Sequence, residues 1–113
     1  MIKRFRAFDG ESYWYADENW IFINDYKVEG LRSAPFELKD VEQFIGKLDS
    51  KGTMIYENDL IKNTNQATDK LYQVIWSDAD CGFRKVPYGL PYPETKIDEA
   101  FIEVIGTIHS QKE

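Results

Sequence analysis

Apolar and polar residues alternate with a period of two along much of this chain, the pattern of a strand that buries one face. Between residues 1 and 8, Phe5 and Ala7 fall on one side while Arg4 and Arg6 fall on the other. Asp9-Gly10 marks a turn, because glycine reaches positive φ without a Cβ clash. Aromatic-rich strands are predicted over residues 12–16 and 20–26, joined by the polar Asp17-Glu18-Asn19, so the first part of the chain reads as a β-meander. Residues 41–48 and 54–56 flank a turn at 49–52 and predict a hairpin.

Residues 63–69 are polar and aperiodic, the mark of a solvated loop. A strand follows over 71–77, where Tyr72, Val74 and Trp76 share a face, then a turn at 78–82 and a short strand at 83–86. Pro87, Pro91 and Pro93 lack the N–H a ladder needs, so the segment they punctuate is a loop or a polyproline-like crossover. The last strand spans 101–109, with Ile102, Val104 and Ile108 on one face. No long 3.6-residue period appears, and a short helix fits only within 36–48 or 93–100. With no repeat, low-complexity tract or linker, the chain reads as one domain over residues 1–113.

Composition narrows the function classes. At 113 residues, with 42% apolar and 15% aromatic side chains, the chain supports one hydrophobic core and is not a disordered segment. Fourteen Lys and Arg against 20 Asp and Glu give a formal charge of −6, which repels phosphates unless the bases gather in one patch. Cys81 is the single cysteine, which fits a reducing compartment and excludes an internal disulfide or a Cys-rich zinc site. No apolar run reaches the roughly 20 residues a spanning helix needs, and no signal-peptide pattern opens the chain. The expectation is a soluble, cytoplasmic protein.

Candidate chemistry is sparse. Glu57 with Asp59, and Asp78 with Asp80, place carboxylates two apart on an extended segment, a spacing that suits Mg²⁺ or Ca²⁺ in a metal-dependent hydrolase; turn chemistry is the stronger reading, because Asp and Asn accept local backbone N–H bonds. His109 stands alone and near the C-terminus, with no second histidine for a relay. Cys81 has acidic neighbours, the wrong company for a nucleophilic thiolate. No catalytic, cofactor-binding or metal-ligating residue is assigned.

Two surfaces are candidates. Lys3, Arg4 and Arg6, extended by Lys27 and Arg32, make a basic strip near Tyr13, Trp14 and Tyr15, the arrangement of a single-stranded nucleic-acid binder; the overall acidity favours a plain structural role. In Trp20-Ile21-Phe22-Ile23 both alternating faces are apolar, so that strand is either central between layers or covered by another subunit. The second alternative makes Trp20, Phe22, Tyr13 and Tyr15 a protein interface.

Three separated blocks resemble the YopX-like proteins. Residues 43–61, Gln-Phe-Ile-Gly-Lys-Leu-Asp-Ser-Lys-Gly-Thr-Met-Ile-Tyr-Glu-Asn-Asp-Leu-Ile, are similar to that family's signature of an aromatic residue, Thr-Gly-Leu-Lys-Asp, a Gly-bearing turn, and Ile-Tyr-Glu-Gly-Asp with two aliphatics. Phe5-Arg6-Ala7-Phe8-Asp9 resembles its opening strand, and Glu103-Val104-Ile105-Gly106-Thr107-Ile108-His109 its closing one. Here Ile45 stands for the usual Thr, Lys47-Leu48 reverses Leu-Lys, and Asn58 replaces a glycine, a change that keeps the left-handed conformation accessible. The resemblance implies a phage or prophage protein, mainly β, with an SH3-like barrel core, and it carries over no activity and no catalytic residue. The expectation is therefore a non-enzymatic interaction module without cofactor, a homo-oligomer or the partner of a host or phage protein in the bacterial cytoplasm. Nucleic-acid binding is the alternative.

Overall fold

The structure, a computed structural model, describes residues 4–24, 27–37, 40–65, 70–90 and 93–109. Among them lie ten strands and no α-helix: β1 (Phe5–Phe8), β2 (Tyr13–Ala16), β3 (Ile21–Asn24), β4 (Lys27–Gly30), β5 (Val41–Leu48), β6 (Met54–Tyr56), β7 (Asp59–Asn63), β8 (Tyr72–Ser77), β9 (Gly82–Pro87) and β10 (Ile102–Thr107). Single 3₁₀ turns occupy Leu31–Ser33 and Glu99–Phe101. The protein is mainly β, built from antiparallel sheets. The chain divides into two compact units, residues 1–44 and 45–113, with the boundary inside β5. The sequence, which predicts one domain, shows no linker there because the boundary falls within a strand rather than a Pro- or Gly-rich segment.

In the first unit the strands run in the order β4, β3, β2, β1 and the start of β5. Register is antiparallel throughout: Ala7 faces Trp14 and Val41, and Phe22 faces Glu29. Ala7, Trp14, Ala16 and Phe22 form the core, with Phe5, Trp20, Phe36 and Val41 packed around it. Phe22 meets Phe36 edge to face at 4.7 Å. The Asp9-Gly10 turn forms as predicted, with Gly10 at φ +107°. Asp9 Oδ1 accepts the N–H groups of Glu11 and Ser12, and its Oδ2 accepts Trp14 Nε1–H at 3.0 Å. That indole bond, with the two backbone donors, holds the Asp9 carboxyl below its ordinary pKa.

The second unit holds the end of β5 with β6, and a sheet ordered β10, β7, β8, β9. Ile55, Ile61, Val74, Ile97 and Ile102 make its core, with Ile45, Tyr72, Phe83 and Val104 at the margin. Each fully buried aliphatic contributes about 1.5–3 kcal/mol relative to exposure. The predicted strands at 71–77 and 83–86 are β8 and β9, and the 101–109 strand is β10, which bulges between Val104 and Gly106. The hairpin between residues 41 and 56 is β5 and β6. Within the helix candidate 36–48, residues 41–48 are strand, with Gly46 at φ +86° inside a run of β-formers, and residues 38–39 lie outside the described residues. Residues 66–69 of the predicted loop, 91–92 of the proline-rich segment, and Tyr26 lie outside the described residues.

Asp49 closes the β5–β6 turn and ties it to the last strand. Its Oδ1 accepts the N–H groups of Lys51 and Thr53, and its Oδ2 accepts that of Val104 at 2.8 Å. Burial pushes the carboxyl up, but the N–H groups of Val104, Thr53 and Lys51 outweigh it and leave the pKa below the ordinary value. A folded pKa lowered in this way contributes stability that is complete above the unfolded pKa and is lost as pH falls through the folded value. Chemical denaturation of Asp49→Ala at neutral pH should show a loss of about 3 kcal/mol, the order expected when several charge-assisted bonds go at once. Asp49→Asn should flatten the acid limb of the stability curve, and an unchanged limb would assign acid sensitivity elsewhere.

Candidate functional site

The two sides of the first unit's sheet differ sharply. One carries Ala7, Trp14, Ala16 and Phe22, the core described above. On the other, pairing places Glu42 beside Arg6, Arg6 beside Tyr15, Tyr15 beside Ile23, and Ile23 beside Val28. This row crosses five strands. It begins at a buried ion pair and ends at a valine that is 59% exposed on the edge strand. Ile21, two residues from Ile23 on β3, is 48% exposed on the same side. Phe8, Tyr13 and Tyr15 continue the side as half-buried aromatics, with ring centroids 5.1 Å and 6.1 Å apart along the series.

Arg6 and Glu42 form the ion pair, with Nε to Oε1 at 2.7 Å and both side chains 5% exposed. The guanidinium also lies over the Tyr13 ring, 4.5 Å from its centroid. Arg6 therefore does not contribute to the phosphate-facing basic strip expected from sequence. Arg6 is buried and neutralised, Arg4 is exposed and pairs with Glu18 at 3.3 Å, and Lys3 lies outside the described residues. Sequence alternation placed Arg6 on the wet side of β1, and missed the cross-strand glutamate that makes its burial tolerable. The signal was present only as Glu42, one acidic residue among 20.

The apolar-on-both-faces segment is also partly resolved. Phe22 is wholly enclosed in the first unit's core, so it is an interior residue and not an interface residue. Trp20 is not part of β3. It sits at φ +60° after a turn in which its N–H donates to the Asp17 carbonyl, and its ring stacks on Phe5 at 4.1 Å. A left-handed non-glycine residue costs about 1–2 kcal/mol, which stacking and burial offset. Tyr13 and Tyr15 do lie on the outward side, and Ile21, from the segment apolar on both faces, and Val28, which sequence reasoning did not single out, extend it. β4 was missed because Lys-Val-Glu-Gly alternates too briefly to read as a strand.

The paired carboxylates fall in turns and at a strand start. Glu57 and Asn58 form the turn between β6 and β7, with Asn58 at φ +65° as its tolerance for that conformation predicts, and Asp59 is buried with Oδ2 accepting Tyr56 N–H at 2.8 Å. Asp78 accepts Trp76 Nε1–H, and Asp80 pairs with Arg84 at 3.3 Å. Among the described residues no group of three His, Cys, Asp or Glu side chains is placed to hold a metal. Cys81 is exposed at φ +50° in the β8–β9 turn, and the His109 side chain is exposed. The second unit carries a cleft of about 370 Å³ whose lining includes Ile45, Phe83 and Ile97 together with Lys47, Arg84 and Lys96. Lys47 is held by Glu99 and Arg84 by Asp80. No helix among the described residues is long and apolar enough to cross a membrane.

The fold defines a small, mainly β protein of antiparallel sheets, with Ile21 and Val28 exposed on the outward side of the first unit's sheet. The chain belongs to the YopX protein family, whose model matches residues 4–113 and so spans both units. No curated protein matches it.

Three variants test this geometry. Phe22→Ser should unfold the first unit rather than release a folded monomer, since truncating a buried Phe alone costs about 3–5 kcal/mol; a folded Phe22→Ser protein with altered size in solution would return Phe22 to an interface. Glu42→Ala should cost about 3–5 kcal/mol by stranding the Arg6 charge, while Arg6→Met with Glu42→Leu should recover most of that loss in urea titrations.

Proposed function

We propose that this protein is a non-enzymatic interaction module of phage or prophage origin, acting in the bacterial cytoplasm and self-associating through the outward side of its first unit. The observation that carries this reading is the exposed aliphatic end of the five-strand row, Ile21 and Val28, continuous with Tyr13, Tyr15 and Ile23. A sheet side that ends in water with apolar groups loses free energy until something covers it. Three of the carboxylates that sequence spacing offered for metal chemistry, Asp59, Asp78 and Asp80, engage protein donors, which supports a binding rather than a catalytic role.

We assign the SH3-like core to the second unit. Ile55 from β6 packs in one cluster with Ile61, Val74 and Ile102 from the other sheet, as two layers around a shared interior do in a small barrel. The nucleic-acid alternative loses its central residue with Arg6.

Sedimentation equilibrium over about a hundredfold concentration range tests the proposal, because association is a mass-action effect. The expected result is a concentration-dependent rise to twice the monomer mass that Ile21→Ser with Val28→Ser abolishes while the melting curve is kept. A monomer throughout the range would overturn self-association. A monomer that retains a discrete host or phage protein after nuclease treatment would move the same surface to a heterologous partner.

A further inference from the structure

β4 is the last strand of its sheet, and it is short, open and self-complementary. An edge strand presents unpaired N–H and C=O groups to any strand that aligns with it. Its residues Lys27, Val28 and Glu29 place a cation and an anion on the core side, opposite Asn24 and Phe22, and a valine on the outward side, opposite Ile23. Neither Lys27 nor Glu29 has an ion-pair partner among the described residues.

A second copy that continues this sheet antiparallel must keep core side on core side, so only residues of like parity can face each other. Four two-fold registers satisfy that condition within the strand, and centring on Gly30 pairs no other residue of β4 with its copy's strand, because a 3₁₀ turn follows at Leu31–Ser33. Centring on Lys27 sets Lys27 against its own copy, and centring on Glu29 sets Glu29 against its own copy; both oppose like charges, which is destabilising. Centring on Val28 sets Lys27 against the other copy's Glu29 twice over and Val28 against Val28. In that register the row from Glu42 through Arg6, Tyr15 and Ile23 to Val28 continues into its own reversed copy, and the exposed valine gains an apolar neighbour.

We infer that the occupant of the β4 edge is a second copy of this chain, joined antiparallel about a two-fold axis at Val28, with Lys27 of each copy facing Glu29 of the other. The inference rests on the self-association proposed above and specifies its geometry. The isologous arrangement closes at two copies, because each chain offers one such edge and the pairing consumes it.

Charge swapping provides the test. Lys27→Glu should oppose two glutamates at both symmetric positions, and Glu29→Lys should oppose two lysines, so each variant should dimerise roughly tenfold more weakly than the parent or worse. Mixing the two variants should restore dimers as heterodimers, since every facing pair is again of opposite sign, and Lys27→Glu with Glu29→Lys in one chain should restore the homodimer. Sedimentation equilibrium of each sample, with one variant fluorescently labelled in the mixture, reads all of these. Recovery on mixing also shows that each variant is folded. A parent dimer that neither single variant weakens, or variants that fail to recover on mixing, would overturn the Val28-centred pairing while leaving self-association standing; a monomeric parent would overturn both.

Discussion

A guanidinium cannot be moved out of water without a partner, and the pair formed by Arg6 and Glu42 meets that constraint for the first unit. The two side chains face each other across β1 and β5, so their contact specifies the register of those strands. That register places Ala7 against Val41 and the core side inward. It also decides which residues are left on the other side. With Arg6 committed to Glu42 and to the Tyr13 ring, its positive charge is neutralised internally, and the outward side runs on through Tyr15 and Ile23 to Val28.

The second unit solves the same desolvation problem with backbone donors. Asp49 gathers three N–H groups from a turn and from β10, and Asp59 caps the tight turn at Asn58 by accepting Tyr56 N–H. Bonds of this kind are stronger than neutral ones and fix the directions from which chains approach. Buried acids in this fold thus serve as turn and strand clamps. Their spacing in sequence resembles that of metal ligands because turns and metal loops draw on the same oxygen-bearing residues.

Much of the fold was legible. Asp9-Gly10, the hairpin turn at Asp49, the left-handed Asn58 and the strands at 72–77, 82–87 and 102–107 depend on local backbone preferences and on period-two alternation. The family was legible too, through blocks at residues 5–9, 43–61 and 103–109, which include these same turns. β4 was not, since four residues with one apolar member carry no periodic signal until Ile23 lies beside Val28. Trp20 was misread as a strand residue because composition does not report φ, and its left-handed backbone is sustained by Phe5, fifteen positions earlier.

Side-chain chemistry and short-range geometry thus settled the strand-rich character, the turns and the shortage of reactive groups, because each depends on residues a few positions apart. Which arginine is buried, whether Phe22 belongs to a core or a surface, and which sheet side remains in water depend on contacts across 14 to 36 positions, such as Phe22 to Phe36 and Arg6 to Glu42. A period of two says that a strand has two sides. It does not say which side another layer will cover, because that is decided by the register of neighbouring strands and by where the desolvation of a charge can be compensated.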